Sequence, residues 1–172
     1  MRRRSVLAVA TLVAALGLAA VGGAVGTPAA HVAPLSGTEE VPANDSLGRG
    51  IGVVKLSADG ESLAYKLNVA NIQNVTQAHI HLAPVGVNGP IVAWLYPAAP
   101  PAQLIPGRSD GELASGTITS ANLVGALEGQ PLEALVDAIR SGNAYVNVHT
   151  SQFPGGEIRG QLSQGPPVPH HH

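Results

Sequence analysis

An all-β, antiparallel domain of Greek-key-like sandwich or barrel form, carrying one short helix, is what this sequence predicts. Three observations lead there. Apolar residues recur with period two in short segments; turn formers, 21 glycines and 14 prolines among 172 residues, separate those segments; and a single clear stretch shows the helical period. Charged residues make up 12% of the chain, about half the usual quarter, and with a formal net charge of −2 there is no basic footprint for nucleic acid.

The N-terminus predicts export. Arg2, Arg3 and Arg4 precede an apolar run from Val6 to about Val21, and residues 22–26 are small, which is the order of a cleavable signal with a cut before Thr27 or, alternatively, near Ala30. An uncleaved anchor is the alternative, since the run approaches the roughly 20 residues that span a bilayer; Gly17 and the small-residue patch favour cleavage. The expected layout is a signal peptide at 1–26, a linker at 27–33, a β domain at 34–163 and a disordered Pro/His tail at 164–172. Loss of the signal leaves six basic and eleven acidic groups, about −5. The mature chain is then secreted or held at the cell surface, with no stable membrane insertion. Without cysteine it has no disulfides, no thiolate metal ligands and no Cys nucleophile.

The strands follow in order. Leu35 to Val41 is the first candidate. Gly50 to Ser57 and Ser62 to Val69 flank the turn signal Ala58-Asp59-Gly60 and read as a hairpin; in the second, Leu63, Tyr65, Leu67 and Val69 share one face. Thr76 to Leu82, Pro90 to Tyr96, Glu112 to Thr119, Ala144 to Thr150 and Glu157 to Leu162 complete eight short strands, a number suited to a sandwich or barrel. Leu132, Leu135, Val136 and Ile139 recur at i, i+3, i+4 and i+7, so residues 131–141 predict an amphipathic helix with Pro131 at its start and Gly142 as its stop. Ser120 to Leu127 adds a turn or two, with Ser120 as a cap. The prolines between Pro97 and Gly107 predict a loop.

Four histidines lie outside the tail. His79 and His81 are two apart in a strand, so both imidazoles leave one face while Ala78, Ile80 and Leu82 take the other. In Tyr145 to His149 the same alternation puts Tyr145, Asn147 and His149 together. If the strands are neighbours, His79, His81 and His149 form a three-imidazole set, a donor type that suits copper or zinc with an open position; the competing reading is hydrogen-bonded strand histidines. Tyr145 and Asn147 would stand behind the ligands and orient an imidazole through its other nitrogen.

Other chemistry finds little support. Ser, His and acidic residues all occur, but the sequence pairs no Ser with a His, Gly86 to Gly89 lacks the Lys and helix of a phosphate loop, and Glu39, Glu40 and Glu157 read as surface charge rather than a glycosidase pair. Arg159, on the outward face of its strand with Glu157 and Gln161, reads as a brace paired to a carboxylate, with a partner-facing role as the alternative.

Leu35-Ser36-Gly37-Thr38-Glu39-Glu40-Val41-Pro42, Ala78-His79-Ile80-His81, Gly86-Val87-Asn88-Gly89-Pro90-Ile91-Val92, Asn143 to Thr150, and Phe153 to Leu162 together resemble the CHRD domain family, named from chordin and found in bacterial exported proteins. The resemblance spans about residues 34–163. It implies an all-β extracellular domain with no catalytic activity common to the family and, in chordin, a place in a secreted protein that binds growth factors. The His-x-His strand is also similar to the copper-ligand strand of copper/zinc superoxide dismutase, an architectural analogy only. That enzyme's pattern needs a bridging histidine, further zinc ligands and a loop with a positioned arginine, and this core offers three strand histidines. The first reading is therefore a secreted binding protein with a copper or zinc site at His79, His81 and His149. The second is a metal-free adhesion or interaction module for an extracellular protein partner, using a sheet face or the loop Pro97 to Gly107. The third is a dismutase- or oxidase-like metalloenzyme.

Overall fold

The computed structural model describes residues 30–165; the expected signal segment and residues 166–172 of the expected tail lie outside the described residues. Eight strands are present among the described residues: β1 Ala30–Ser36, β2 Arg49–Leu56, β3 Leu63–Leu82, β4 Ile91–Tyr96, β5 Ile105–Ile118, β6 Ala144–Thr150, β7 Ile158–Gln161 and β8 Ser163–Gln164. One helix, α1 Leu132–Arg140, lies between β5 and β6. Every strand pairing is antiparallel. The order β2-β1-β7-β6-β3 returns from β3 to β2, closing a five-stranded barrel, with β4 and β5 added on β3 and β8 on β1.

The β2–β3 hairpin forms as the sequence predicts, from Arg49↔Ala70 to Leu56↔Leu63. What was expected as two strands, Ser62 to Val69 and Thr76 to Leu82, is one 20-residue strand. Its period-two pattern breaks because buried Val69, Ile72 and Val75 are spaced by three. Each interval holds an asparagine with positive φ, Asn71 at 57° and Asn74 at 53°, a conformation asparagine tolerates better than most residues. Register shifts fall at these places and again between Val75 and Gln77. Such bulges bend a strand and re-aim its side chains. The core face therefore passes from odd-numbered Leu63 to Val69 to even-numbered Ala78 and Ile80, and the odd-numbered histidines emerge on the opposite face.

The other differences have local causes. β1 runs over Ala30–Ser36 instead of Leu35 to Val41, taking in residues 30–33 that the layout placed in a linker. It stops because the amides of Glu40 and Asn44 both bond to the Gly37 carbonyl, folding Gly37–Glu39 into a 3-10 turn. β5 starts at Ile105, inside the segment expected to be loop, because Ile105 and Arg108 pair with Val75 and Gln73. Two 3-10 turns occupy Ser120–Asn122 and Gly125–Leu127, and the cap is Thr119, whose side chain forms a box with Asn122. Pro131 caps α1 from outside its first turn. Gly142, at φ 74°, ends it in a Schellman arrangement: Asn143 N–H to Ala138 O at 2.8 Å and Gly142 N–H to Ile139 O at 3.1 Å.

One apolar core joins Leu35, Leu67, Ile72, Ile80, Val146, Val148 and Ile158 to the α1 face Leu132, Leu135, Val136 and Ile139. The barrel is narrow. A Cβ on Gly52 would stand 3.2 Å from Val146 Cγ2, so the glycine admits the valine of the facing strand. Among the described residues no helix is long and apolar enough to cross a membrane.

Candidate metal centre

The registers of β3, β6 and β7 lay out a polar grid. His79 lies opposite Asn147, which lies opposite Arg159; His81 lies opposite Tyr145, which lies opposite Gln161; and Gln77 lies opposite His149. Alternation along the strands is as the sequence predicts, yet this face is not solvated. His79 is 0% exposed, Arg159 2%, Asn147 3%, His149 6% and His81 7%. Three loops cover it. Arg159 holds the first, through Asn88 Oδ1 at 3.1 Å and Val87 O at 2.8 Å. Asn88 Nδ2 donates to Val41 O at 2.7 Å in the second, and Asn44 Nδ2 donates to Glu157 O at 3.1 Å, tying the second to the third.

The three expected ligands come together. One nitrogen from each of His79, His81 and His149 lies within 4.8 Å of the others. His81 Nδ1 is 2.9 Å from Gly89 O, and His149 Nδ1 is 3.0 Å from Pro154 O. A carbonyl only accepts, so each Nδ1 carries the proton and donates it, and each Nε2 is left unprotonated, able only to accept or to ligate. His79 Nδ1 stands 3.3 Å from His149 Nε2 and, that Nε2 carrying no proton, donates a hydrogen bond to it in the metal-free protein. With metal–nitrogen bonds near 2.0–2.1 Å, the edge of a tetrahedral site is about 3.4 Å, which this separation matches. The Nε2 atoms of His79 and His81 are buried with no hydrogen-bond partner among the described residues. Bare nitrogens in a dry site cost stability unless something binds them, and a soft-to-borderline cation is what such a donor set accepts.

The electrostatics keep the imidazoles neutral. Burial lowers His79 to about 3, helped by His149 and His81. Burial lowers His81 to about 4, against the Gly89 hydrogen bond and with help from His149 and Arg159. His149 is lowered by burial, against its bond to Pro154. Neutral imidazole is the form that ligates a metal.

Tyr145 and Asn147 sit beside the histidines, but backbone carbonyls orient His81 and His149. Tyr145 stacks on His81 at 4.9 Å between ring centroids and 10° between planes, while its hydroxyl accepts from Gly89 N–H at 3.1 Å. Trp94 packs edgewise on His79 at 4.4 Å. Two readings of charge are corrected. Among the described residues Arg159 pairs with no carboxylate; it lies on the Tyr145 ring and donates to loop oxygens. Glu40 and Glu157 are not surface charge: each is 7% exposed, because the loops that carry them close over the grid. Glu157 accepts from Ser46 Oγ and Thr150 Oγ1, both at 2.7 Å. Burial pushes Glu40 up to about 7, opposed by the Arg159 charge and by the neighbouring Asn147 amide. Strand periodicity carries no signal for Glu40, Gly89 or Pro154, since all three belong to turns and loops.

His31 is remote in role. It lines a cavity of about 250 Å³ with Leu56, Val136, Ile139 and Arg140 that contains none of the three clustered histidines.

A family model described as the CHRD domain matches residues 31–162. No curated protein and no solved structure matches the chain.

Proposed function

The chain belongs to the CHRD domain family, and from that premise we propose that it is a secreted binding protein that takes up one copper or zinc ion through His79, His81 and His149. CHRD domains are protein-interaction modules, typically extracellular, and the arginine-led apolar N-terminus supports export. The observation that carries the metal reading is the convergence of three neutral, buried imidazoles, two of them held by backbone carbonyls with Nε2 unprotonated. Trp94 and Tyr145 wall the cluster and help exclude water. A metal held here supplies a Lewis-acidic, and for copper a redox-active, centre.

The test is calorimetric titration with Cu(II) and with Zn(II). The chain carries His170→Ala, His171→Ala and His172→Ala so that the terminal histidines do not report. One ion per chain is expected, and loss of binding in His79→Ala, His81→Ala and His149→Ala. Undiminished one-to-one uptake by all three variants overturns the reading.

The second reading is a metal-independent contact with an extracellular protein. It is supported by Val85 and Val87, 69% and 49% exposed in the loop that covers His81. Partner binding that survives His79→Ala but is lost in Val85→Asp would favour it.

A further inference from the structure

We infer that Glu40 is the charge-balancing and positioning residue of the three-histidine centre, reaching it through Asn147. This rests on the metal reading above and adds a residue that strand periodicity does not reveal.

The geometry points there from three sides. Asn147 is the cross-strand partner of His79 and stands two residues from His149 on the same sheet face. Glu40 comes from the turn after β1 and is 7% exposed. Glu40 Oε1 and Asn147 Oδ1 are both buried without a partner among the described residues. They also share one small space: a Cβ on Gly156 would be 2.7 Å from Glu40 Oε1 and 2.7 Å from both amide atoms of Asn147. The bare glycine therefore lets carboxyl and amide approach.

Charge selects Glu40 over its neighbours. A divalent ion on three neutral imidazoles adds two positive charges to a buried face that already holds the Arg159 guanidinium. Such charge is costly in a low-dielectric setting unless an anion stands near it. Glu157 already accepts from two hydroxyls, one on each oxygen, and Glu39 is exposed. Among the described residues Glu40 is the buried carboxyl with a free oxygen. Asn147 can donate to that carboxyl and, as the cross-strand partner of His79, turn its own oxygen toward whichever nitrogen of that ring does not ligate, the support that ligand histidines commonly use.

The experiment is Cu(II) titration of the full chain lacking the three terminal histidines, read by affinity and by electron paramagnetic resonance. Glu40→Gln keeps shape and removes charge; a 10- to 100-fold loss of affinity is expected, the usual effect of altering a ligand's supporting group, with a changed Cu(II) spectrum and an unchanged circular dichroism spectrum. Glu40→Asp is expected to recover part of the affinity, and Glu39→Gln to do nothing. Asn147→Ala, which keeps the carboxyl but removes the amide between, is expected to reproduce the loss should Glu40→Gln fail to fold. Unchanged affinity and spectrum in Glu40→Gln, or in a folded Asn147→Ala, overturns the assignment while leaving the metal site intact. No uptake by the protein with Glu40 and Asn147 unaltered overturns the metal reading itself.

Discussion

The guanidinium carbon of Arg159 lies 3.5 Å from the centroid of the Tyr145 ring, and Tyr145 is itself stacked on His81. The arginine thus braces a candidate ligand indirectly, through an aromatic plane. Its NH groups hold Asn88 and Val87, in the loop whose Gly89 carbonyl fixes the His81 tautomer.

Arg159→Met is expected to destabilise the protein by about 3 kcal/mol, since charge-assisted hydrogen bonds contribute roughly 1.5–3 kcal/mol each and the loop carbonyls lose their donor. Arg159→Lys should not restore it, because an ammonium lacks the planar fork and the stacking surface. Denaturant unfolding measures the loss, and faster amide exchange at Val87 and Gly89 places it in the loop.

Acid should weaken the metal-free protein. His79 and His81 are held near 3 and 4 by burial in the folded state, against an ordinary value of 6.5. Between those values the unfolded chain binds protons that the folded chain refuses, so stability falls as pH drops from about 6.5 toward 4. Glu40 works the other way. Raised to about 7 from 4.5, it binds a proton more tightly when folded, and its contribution is lost as pH rises through 7. Two histidines outweigh one glutamate, and Glu40→Gln should steepen the acid loss. Unfolding titrations from pH 4 to 8 test this; a flat profile contradicts it.

Metal should raise stability by linkage. Free Cu(II) or Zn(II) at 100 times its dissociation constant adds about 2.7 kcal/mol to a protein that binds it only when folded. A thermal melt with and without metal reads this as a higher Tm, and His149→Ala should abolish the difference.

Gly52→Val places a branched side chain against Val146, where even a Cβ is at 3.2 Å. Overpacking of this kind costs about 1–3 kcal/mol, here opposed by no loss of metal binding, since Val146 lies on the core face away from the histidines. Chemical denaturation and a Cu(II) titration on the same sample separate the two effects.

Much of this protein was legible in its sequence because alternation is a local property. Period two placed His79 and His81 on one face and Tyr145, Asn147 and His149 on another, and β6 formed over Ala144–Thr150 as expected. The helical period of Leu132 to Ile139 and the glycine stop after it were likewise local signals. Tertiary structure decided the rest. Pairing of β3 with β6 is set by sheet register across some 70 residues, and only that pairing turns two separate polar faces into one histidine cluster. Loops from three parts of the chain then covered the face, which is why Glu40, Glu157 and Arg159, polar residues that a sequence assigns to solvent, are buried. The carbonyls of Gly89 and Pro154 that set the tautomers belong to backbone that any residue carries, so no side-chain pattern announces them; their positions exist only once the barrel has closed.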